Sequence, residues 1–220
     1  MKSQLVAKSR IFLVDDHPMM RDGLRCLLDA QPDLECCGEA GDVNTALTMI
    51  RSLRPELAII DLSLKDGSGI DLIKDIRSLS RSIRMLVLSM YDAKIYGLRS
   101  LRAGAHGYAN KQEPGEALLQ AIRLILSGGT YWPSQVTDTL MLNQRIASDA
   151  EPDTVQVLSN RELEVFRLIG QGFTTGQIAK SLYLSPNTIE SHREKIKTKL
   201  AISSAGELHR AAVHWMLENG

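Results

Sequence analysis

The chain of 220 residues is long enough for two ordinary domains, and its 44% apolar and 24% charged content excludes extended disorder. No stretch approaches the roughly 18 apolar residues of a membrane helix, so no membrane partner is expected. Net charge is zero but uneven: residues 1–130 carry +1, residues 131–156 carry −3 and residues 157–220 carry +2, which predicts an acidic spacer between two nearly neutral blocks.

The opening "MKSQLVAKSRIFLVDD" has an apolar run too short for a secretory signal, and it ends in two acids. The three cysteines, with Cys36 and Cys37 adjacent and Cys26 apart, suggest no disulfide framework. Both features predict a soluble cytoplasmic protein.

The first block alternates. Strand-like runs "RIFLVD" (10–15), "LECCGEA" (34–40), "LAIID" (57–61), "MLVLS" (85–89) and "GYAN" (107–110) are separated by helical patterns at 18–31, 43–53, 68–79, 92–104 and 114–127. Five strands alternating with five helices predict an α/β fold, a parallel, doubly wound, flavodoxin-like sheet covered on both faces. Gly104 and Gly128–Gly129 stand where helices should stop. The helical run "EALLQAIRLILSGG" carries Leu118, Leu119, Ile122, Leu124, Ile125 and Leu126, more apolar surface than one sheet-facing stripe requires, and this predicts a homodimer face. A polar stretch containing Pro152 marks 131–156 as the linker. Beyond it, "NRELEVFRLIGQG", 175–182, 186–200 and 204–218 read as four short helices with tight turns, the pattern of a helix-turn-helix module over 157–220.

Chemistry gathers at the strand ends of the first block. Asp15 and Asp16 close the first strand and Asp61 the third. In an open parallel sheet, functional groups collect beyond the carboxyl ends of the strands, near the point where the winding reverses. If these strands are neighbours, three carboxylates converge, and like charges at one site call for a cation. Oxygen ligands alone favour a hard divalent ion, Mg²⁺. Lys111 follows the fifth strand and Ser89 ends the fourth, so an ammonium and a hydroxyl meet the same rim. Asp61 then reads as a nucleophilic carboxylate, with Lys111 and Ser89 placed to hold an incoming phosphoryl group.

These residues carry a resemblance. "VDDHP", "IIDLSLKDGSG", "VLSMYD" and "GAHGYANKQ" make residues 8–130 resemble a response-regulator receiver domain. The resemblance implies that Asp61 accepts phosphate from a sensor histidine kinase and that Asp15, Asp16 and Asp61 hold Mg²⁺. It implies further that Ser89 moves to the phosphoryl oxygen and that Tyr108 turns inward beside Lys111. Ala109 and Asn110 depart from two usually apolar positions, so a looser fifth strand is expected. His17 is expected as a solvent-facing cap.

"LSNRELEVFRLIGQGFTTGQIAKSLYLSPNTIESHREKIKTKLAISSAGEL" resembles the LuxR-type helix-turn-helix, and the whole chain then resembles a NarL/FixJ-type response regulator. Ser185 is a good N-cap with Pro186 at the first helical position. Ile189, His192, Ile196 and Leu200 fall on an inner stripe, with His192 packed and hydrogen-bonded. The candidate DNA-facing set is Asn187, Thr188, Glu190, Ser191, Arg193, Glu194, Lys195, Lys197, Thr198 and Lys199. Arg193 can either touch phosphate or pair internally with Glu162 or Glu164. Glu190 and Glu194 stand where some relatives place basic contacts, and Ala201 stands where a glycine would end the helix. The implied partner is double-stranded promoter DNA with paired half-sites, bound by a dimer formed on phosphorylation.

Other readings are a DNA-binding regulator whose receiver works without phosphorylation, a Mg²⁺-dependent aspartyl phosphatase, and a flavin carrier. The phosphatase wants a second acid two positions after its nucleophile, where this chain has Ser63. The flavin carrier wants a small, neutral loop after the first strand, where "DDHP" would repel phosphate.

Overall fold

A computed structural model describes residues 7–64, 67–138 and 154–219. Two compact units are present, Met1–Leu142 and Asn143–Gly220.

In the first unit, β1 (Ser9–Val14), α1 (Pro18–Asp29), β2 (Leu34–Ala40), α2 (Val43–Leu53), β3 (Leu57–Ile60), α3 (Gly69–Leu79), β4 (Arg84–Ser89), α4 (Ala93–Ala103), β5 (Gly107–Asn110) and α5 (Gly115–Leu126) alternate as the sequence predicts. All five strands are parallel, in the order β2-β1-β3-β4-β5. The order reverses between β1 and β3, and this places their carboxyl ends side by side. Ile11–Val14 and Leu57–Ile60 are buried throughout, because helices cover both faces of the sheet. One core layer packs Leu24, Leu28, Leu118, Ile122 and Ile125 from α1 and α5 onto Ile11, Leu13, Ile59 and Leu86.

Local chemistry sets the helix limits. Asp42 and Asp92 cap α2 and α4 by accepting from Thr45 N–H (2.8 Å) and Lys94 N–H (2.9 Å). Gly104 ends α4 in the left-handed region, as expected. After β3 the chain forms a two-residue antiparallel ladder, Ser63–Leu64 against Gly67–Ser68, before α3 begins. Gly69 opens α3 so close beneath Asp61 that a Cβ there would overlap the Asp61 carbonyl oxygen and the Leu62 Cα.

Three expectations change in this unit. The apolar surplus of α5 goes into the unit's own core: Leu118, Leu119, Ile122 and Ile125 are buried and Leu126 packs partly against the core, leaving Leu124 exposed. Burial of these side chains removes the apolar surplus as an argument for a homodimer face on this helix. The fifth strand is not loose, since Ala109 is fully buried and Asn110 serves the turn, its Oδ1 accepting from Gln112 N–H. The linker does not start at residue 131. Tyr131 exchanges backbone hydrogen bonds with His106 and Tyr108, and Val136 is buried against Gly97 of α4, so 131–138 continue the first unit. The remainder of the predicted linker, up to residue 153, lies outside the described residues.

The described part of the second unit opens with a 3₁₀ turn (Thr154–Val157), followed by α6 (Asn160–Gly170), α7 (Thr175–Ser181), α8 (Pro186–Lys199) and α9 (Ala205–Asn219). Ser159 with Glu162 and Thr174 with Gln177 form reciprocal capping boxes at the starts of α6 and α7. Ser185 caps α8, with Pro186 in its first turn. Leu163, Phe166, Ile169, Ile178, Ile189, Ile196, Leu208 and Trp215 make the core, with the Phe166 and Trp215 rings 5.9 Å apart. Ala201 follows α8 at φ 53°, the left-handed strain expected of a non-glycine residue at this helix end.

Candidate functional site

Strand register brings the acids together. Val14 pairs with Ile60, so Asp15 and Asp61 are the next residues of adjacent strands, and Asp61 N–H donates to the Val14 carbonyl at 2.8 Å. Ser89 ends β4 opposite Asn110, and its carbonyl accepts from Lys111 N–H at 3.0 Å. Four sequence-predicted groups thus meet at one edge because their strands end there in order.

The cluster is nearly closed to solvent, with Asp15 and Asp61 each 2% exposed and Asp16 9%. Lys111 Nζ lies 2.7 Å from Asp15 Oδ2 and 2.7 Å from Asp61 Oδ2, bridging the two strands. Burial pushes the Asp61 carboxyl up to about 6, against the pull of Lys111. Burial lowers the Lys111 pKa, but Asp61 and Asp15 outweigh it and hold the ammonium above its usual range. One cation therefore shares two buried acids, and Asp16 remains over. Asp16 Oδ1 is buried and has no well-formed hydrogen bond among the described residues, although His17 Nδ1 lies 2.6 Å away. A hard divalent ion fits this set of carboxylate oxygens, with an acceptor atom to spare.

His17 is not simply a solvent-facing cap. It sits at the N-cap position of α1 without a side-chain cap bond; its ring leans on Asp15 and Asp16 and its N–H donates to Asp15 Oδ1 at 2.8 Å. Arg21, which sequence reasoning passed over, donates to the Asp15 carbonyl from the next turn. Its spacing from Asp15 carries no motif, so only the fold reveals it.

Ser89 and Tyr108 converge on one backbone unit. Ser89 Oγ accepts from Tyr91 N–H at 3.2 Å, and Tyr108 Oη donates to the Tyr91 carbonyl at 2.7 Å. Both side chains are fully buried, and Tyr108 points inward. Burial raises the Tyr108 phenol well above its ordinary range, so it stays a donor. Tyr91 also packs its ring on Tyr96 of α4, with centroids 4.6 Å apart. The loop after Ser89 is thus tied to β5 on one side and to α4 on the other.

In the second unit, α8 buries Ile189 and Ile196 and turns Asn187, Glu190, Ser191, Glu194, Lys195, Thr198 and Lys199 outward. Thr188 belongs to the cap: its N–H and its hydroxyl both meet Ser185 Oγ, at 3.1 and 2.8 Å. His192 is half-buried as expected, but its Nδ1 has no hydrogen-bond partner among the described residues. Burial and the nearby Lys195 and Arg161 hold its pKa below the usual imidazole range. Arg193 pairs with neither Glu162 nor Glu164; its Nε lies 3.7 Å from Glu190 Oε2, one turn back along the helix. Glu162 takes Lys199 instead (2.6 Å), Glu164 takes Arg161 (2.7 Å), and Glu194 takes Lys197 (2.8 Å). Of the four basic residues on α8, Lys195 alone has no acidic partner among the described residues.

Among the described residues, no helix is long and apolar enough to cross a membrane. Residues 11–123 match the response regulator receiver domain, and residues 156–212 match the bacterial regulatory proteins of the luxR family. The transcriptional regulatory protein MctR of Rhizobium johnstonii is 34% identical over 94% of each chain. The oxygen regulatory protein NreC of Staphylococcus haemolyticus is 35% identical over 90% of this chain and 94% of its own. Among solved structures, RcsB of Salmonella enterica serovar Typhimurium, bound to promoter rprA in the presence of phosphomimetic BeF₃⁻, is similar with a TM-score of 0.59 and 28% identity, over 92% of this chain and 97% of that one.

Proposed function

The chain belongs to the two-component response regulators with a receiver domain and a LuxR-type DNA-binding domain, and from that premise we propose that phosphorylation of Asp61 controls its binding to promoter DNA. The observation that carries the proposal is the Lys111 ammonium 2.7 Å from both Asp15 and Asp61, beside a third buried acid, Asp16, which Lys111 does not reach and which has only the His17 ring near its Oδ1. A purely structural ion pair would need one acid, not three.

In the proposed reaction an Asp61 carboxylate oxygen attacks the phosphorus carried by the histidine of a sensor kinase. The P–N bond breaks, the leaving imidazole keeps the electron pair and takes up a proton, and an acyl phosphate remains. Asp15, Asp16 and Asp61 would hold Mg²⁺, which neutralises the acid cluster and the phosphoryl oxygens when bound. Lys111 is placed to contact a phosphoryl oxygen, and ordinary neutral pH keeps enough Asp61 ionised to act as nucleophile. The step is stoichiometric, and the chain acts as a regulator and not as an enzyme.

The new group adds about −1.5 to −2 charges and strong acceptor oxygens. In this reading Ser89 turns from Tyr91 N–H toward a phosphoryl oxygen and frees one side of the Tyr91 unit that Tyr108 holds from the other. The loop and α4 then carry the change outward.

DNA binding by one module is weak. Residues 186–200 carry a net charge of only +2, and three of the four basic side chains already have acidic partners. Each neutralised phosphate contributes about −0.9 to the log–log salt slope, so a single module has little to gain. Two coupled modules gain roughly 10²–10⁴ in avidity, and paired half-sites about one helical turn apart would fit them. RcsB dimers have been seen on DNA, and the same assembly is proposed here.

The phosphoacceptor is tested by incubating the full chain with a small phosphodonor and Mg²⁺ and measuring intact mass. One phosphoryl adduct is expected in the wild type and none in Asp61→Asn. An equal adduct in both would reject Asp61.

A further inference from the structure

An acid pointing out of a DNA-binding helix is unfavourable against phosphate, so its surroundings bear on what it can contact. Glu190 stands in the first half of α8, with its side chain 54% exposed. It is nevertheless held in place from two directions. Thr175 Oγ1, in the first turn of α7, donates to Glu190 Oε1 at 2.7 Å, and Arg193 Nε sits 3.7 Å from Oε2. The Arg193 side chain is itself only 17% exposed, so the clamp has a packed base. The two helices of the helix-turn-helix thus fix one carboxylate between them, with acceptor capacity left over on both oxygens. Glu194, further along α8, is 67% exposed and among the described residues is paired with Lys197 of its own helix, with no hydrogen bond or ion pair from α7.

We propose that Glu190 reads a cytosine in each half-site, with Thr175 as its positioning residue. This rests on the reading of the chain as a promoter-binding regulator. The chemistry of the groove edge selects the base. An ionised carboxylate is acceptor-only, and cytosine presents the N4 amino donor in the major groove without an acceptor beside it on that base. Adenine offers N6–H₂ but sets the N7 acceptor next to it, and guanine and thymine present acceptors that repel the carboxylate. Clamping matters because a long, exposed glutamate otherwise loses rotamer freedom on binding. Thr175 and Arg193 remove that freedom before DNA arrives.

The inference predicts a change of preferred base and not merely a change of affinity. Glutamine in place of Glu190 offers both a donor and an acceptor, the pair that matches adenine N6 and N7. Selection of bound duplexes from a random pool, using the full chain with and without a small phosphodonor, tests this directly. The wild type should select a motif with one C·G pair at a fixed place in each half-site. Glu190→Gln should shift that place toward A·T and leave the other positions unchanged. Thr175→Val should keep cytosine but reduce discrimination against other bases, from about 5- to 150-fold toward a few-fold, with equal affinity for the least-favoured sequence. A Glu190→Gln motif identical to the wild-type motif overturns the inference, as does a uniform loss of binding to every sequence in that variant. Failure of the wild type to select any motif in either condition overturns the promoter-binding reading instead.

Discussion

Replacing Lys111 with methionine keeps the aliphatic stem and removes the ammonium that bridges Asp15 and Asp61 at 2.7 Å each. Both acids are 2% exposed, so they cannot be rescued by water. Removing one partner of a buried ion pair costs about 3–5 kcal/mol. Here the lower end applies, because Asp61 already titrates at about 6 with Lys111 present and will protonate at neutral pH without it. For a unit of this size about 3 kcal/mol corresponds to a fall of roughly 10–15 °C in the midpoint of the receiver transition. The pH dependence has a defined sign. A carboxyl raised above its unfolded value of 3.8 lets the folded state bind the extra proton, so its stability contribution is full below that value and is lost as pH rises through the folded pKa. In Lys111→Met the loss should therefore be small near pH 4 and grow toward neutral pH, since the folded pKa is higher still. Mg²⁺ at about 100 times its dissociation constant should return about 2.7 kcal/mol. Differential scanning calorimetry of the full chain in chelator and in Mg²⁺ resolves this. A variant that melts like the wild type in chelator at neutral pH would refute the assignment of Lys111 as the counter-charge of the site.

Two further substitutions probe the DNA-binding unit. Ala201→Gly should relieve the φ of 53° after α8 and raise the midpoint of that unit's transition, by about 1–2 kcal/mol in stability; an unchanged or lower midpoint argues against stored strain there. Glu162→Gln should lower stability by about 1–3 kcal/mol at neutral pH, because the buried carboxylate accepts from Lys199 and from Ser159 N–H. Burial raises the Glu162 pKa, but Lys199 and Ser159 lower it further, so its contribution is present above the ordinary value of 4.5 and fades as pH falls below it. Thermal melts across that range should therefore converge for wild type and variant at low pH, and a constant gap would contradict the pairing.

Much of this was legible in the sequence because buried parallel strands leave continuous apolar runs and their last residues stand at one edge. Asp15, Asp61, Ser89 and Lys111 could be placed together without any knowledge of distances. What stayed hidden depends on tertiary geometry. The ladder of Ser63–Leu64 with Gly67–Ser68 is too short to show a period. Tyr131, Trp132 and Val136 stand around Pro133, Ser134 and Gln135 with no helical or strand period, so nothing local tells that they continue the first unit. The surplus leucines and isoleucines of α5 read as a free face until the core they fill is seen. The partners of Arg193 and Lys199 could not be chosen from spacing either, since Glu190 is a near neighbour on the same helix while Glu162 comes from α6.

The central claim is that charge placed on Asp61 governs DNA occupancy. It is tested most directly by measuring the affinity of the full chain for a selected duplex at one salt concentration, before and after treatment with a phosphodonor and Mg²⁺, in wild type and Asp61→Asn. Wild type should bind at least about 100-fold more tightly after treatment, within the range of roughly 10²–10⁴ that coupling two modules can supply, and Asp61→Asn should not respond. Equal affinity before and after treatment in a wild-type protein that carries the phosphoryl group would contradict it.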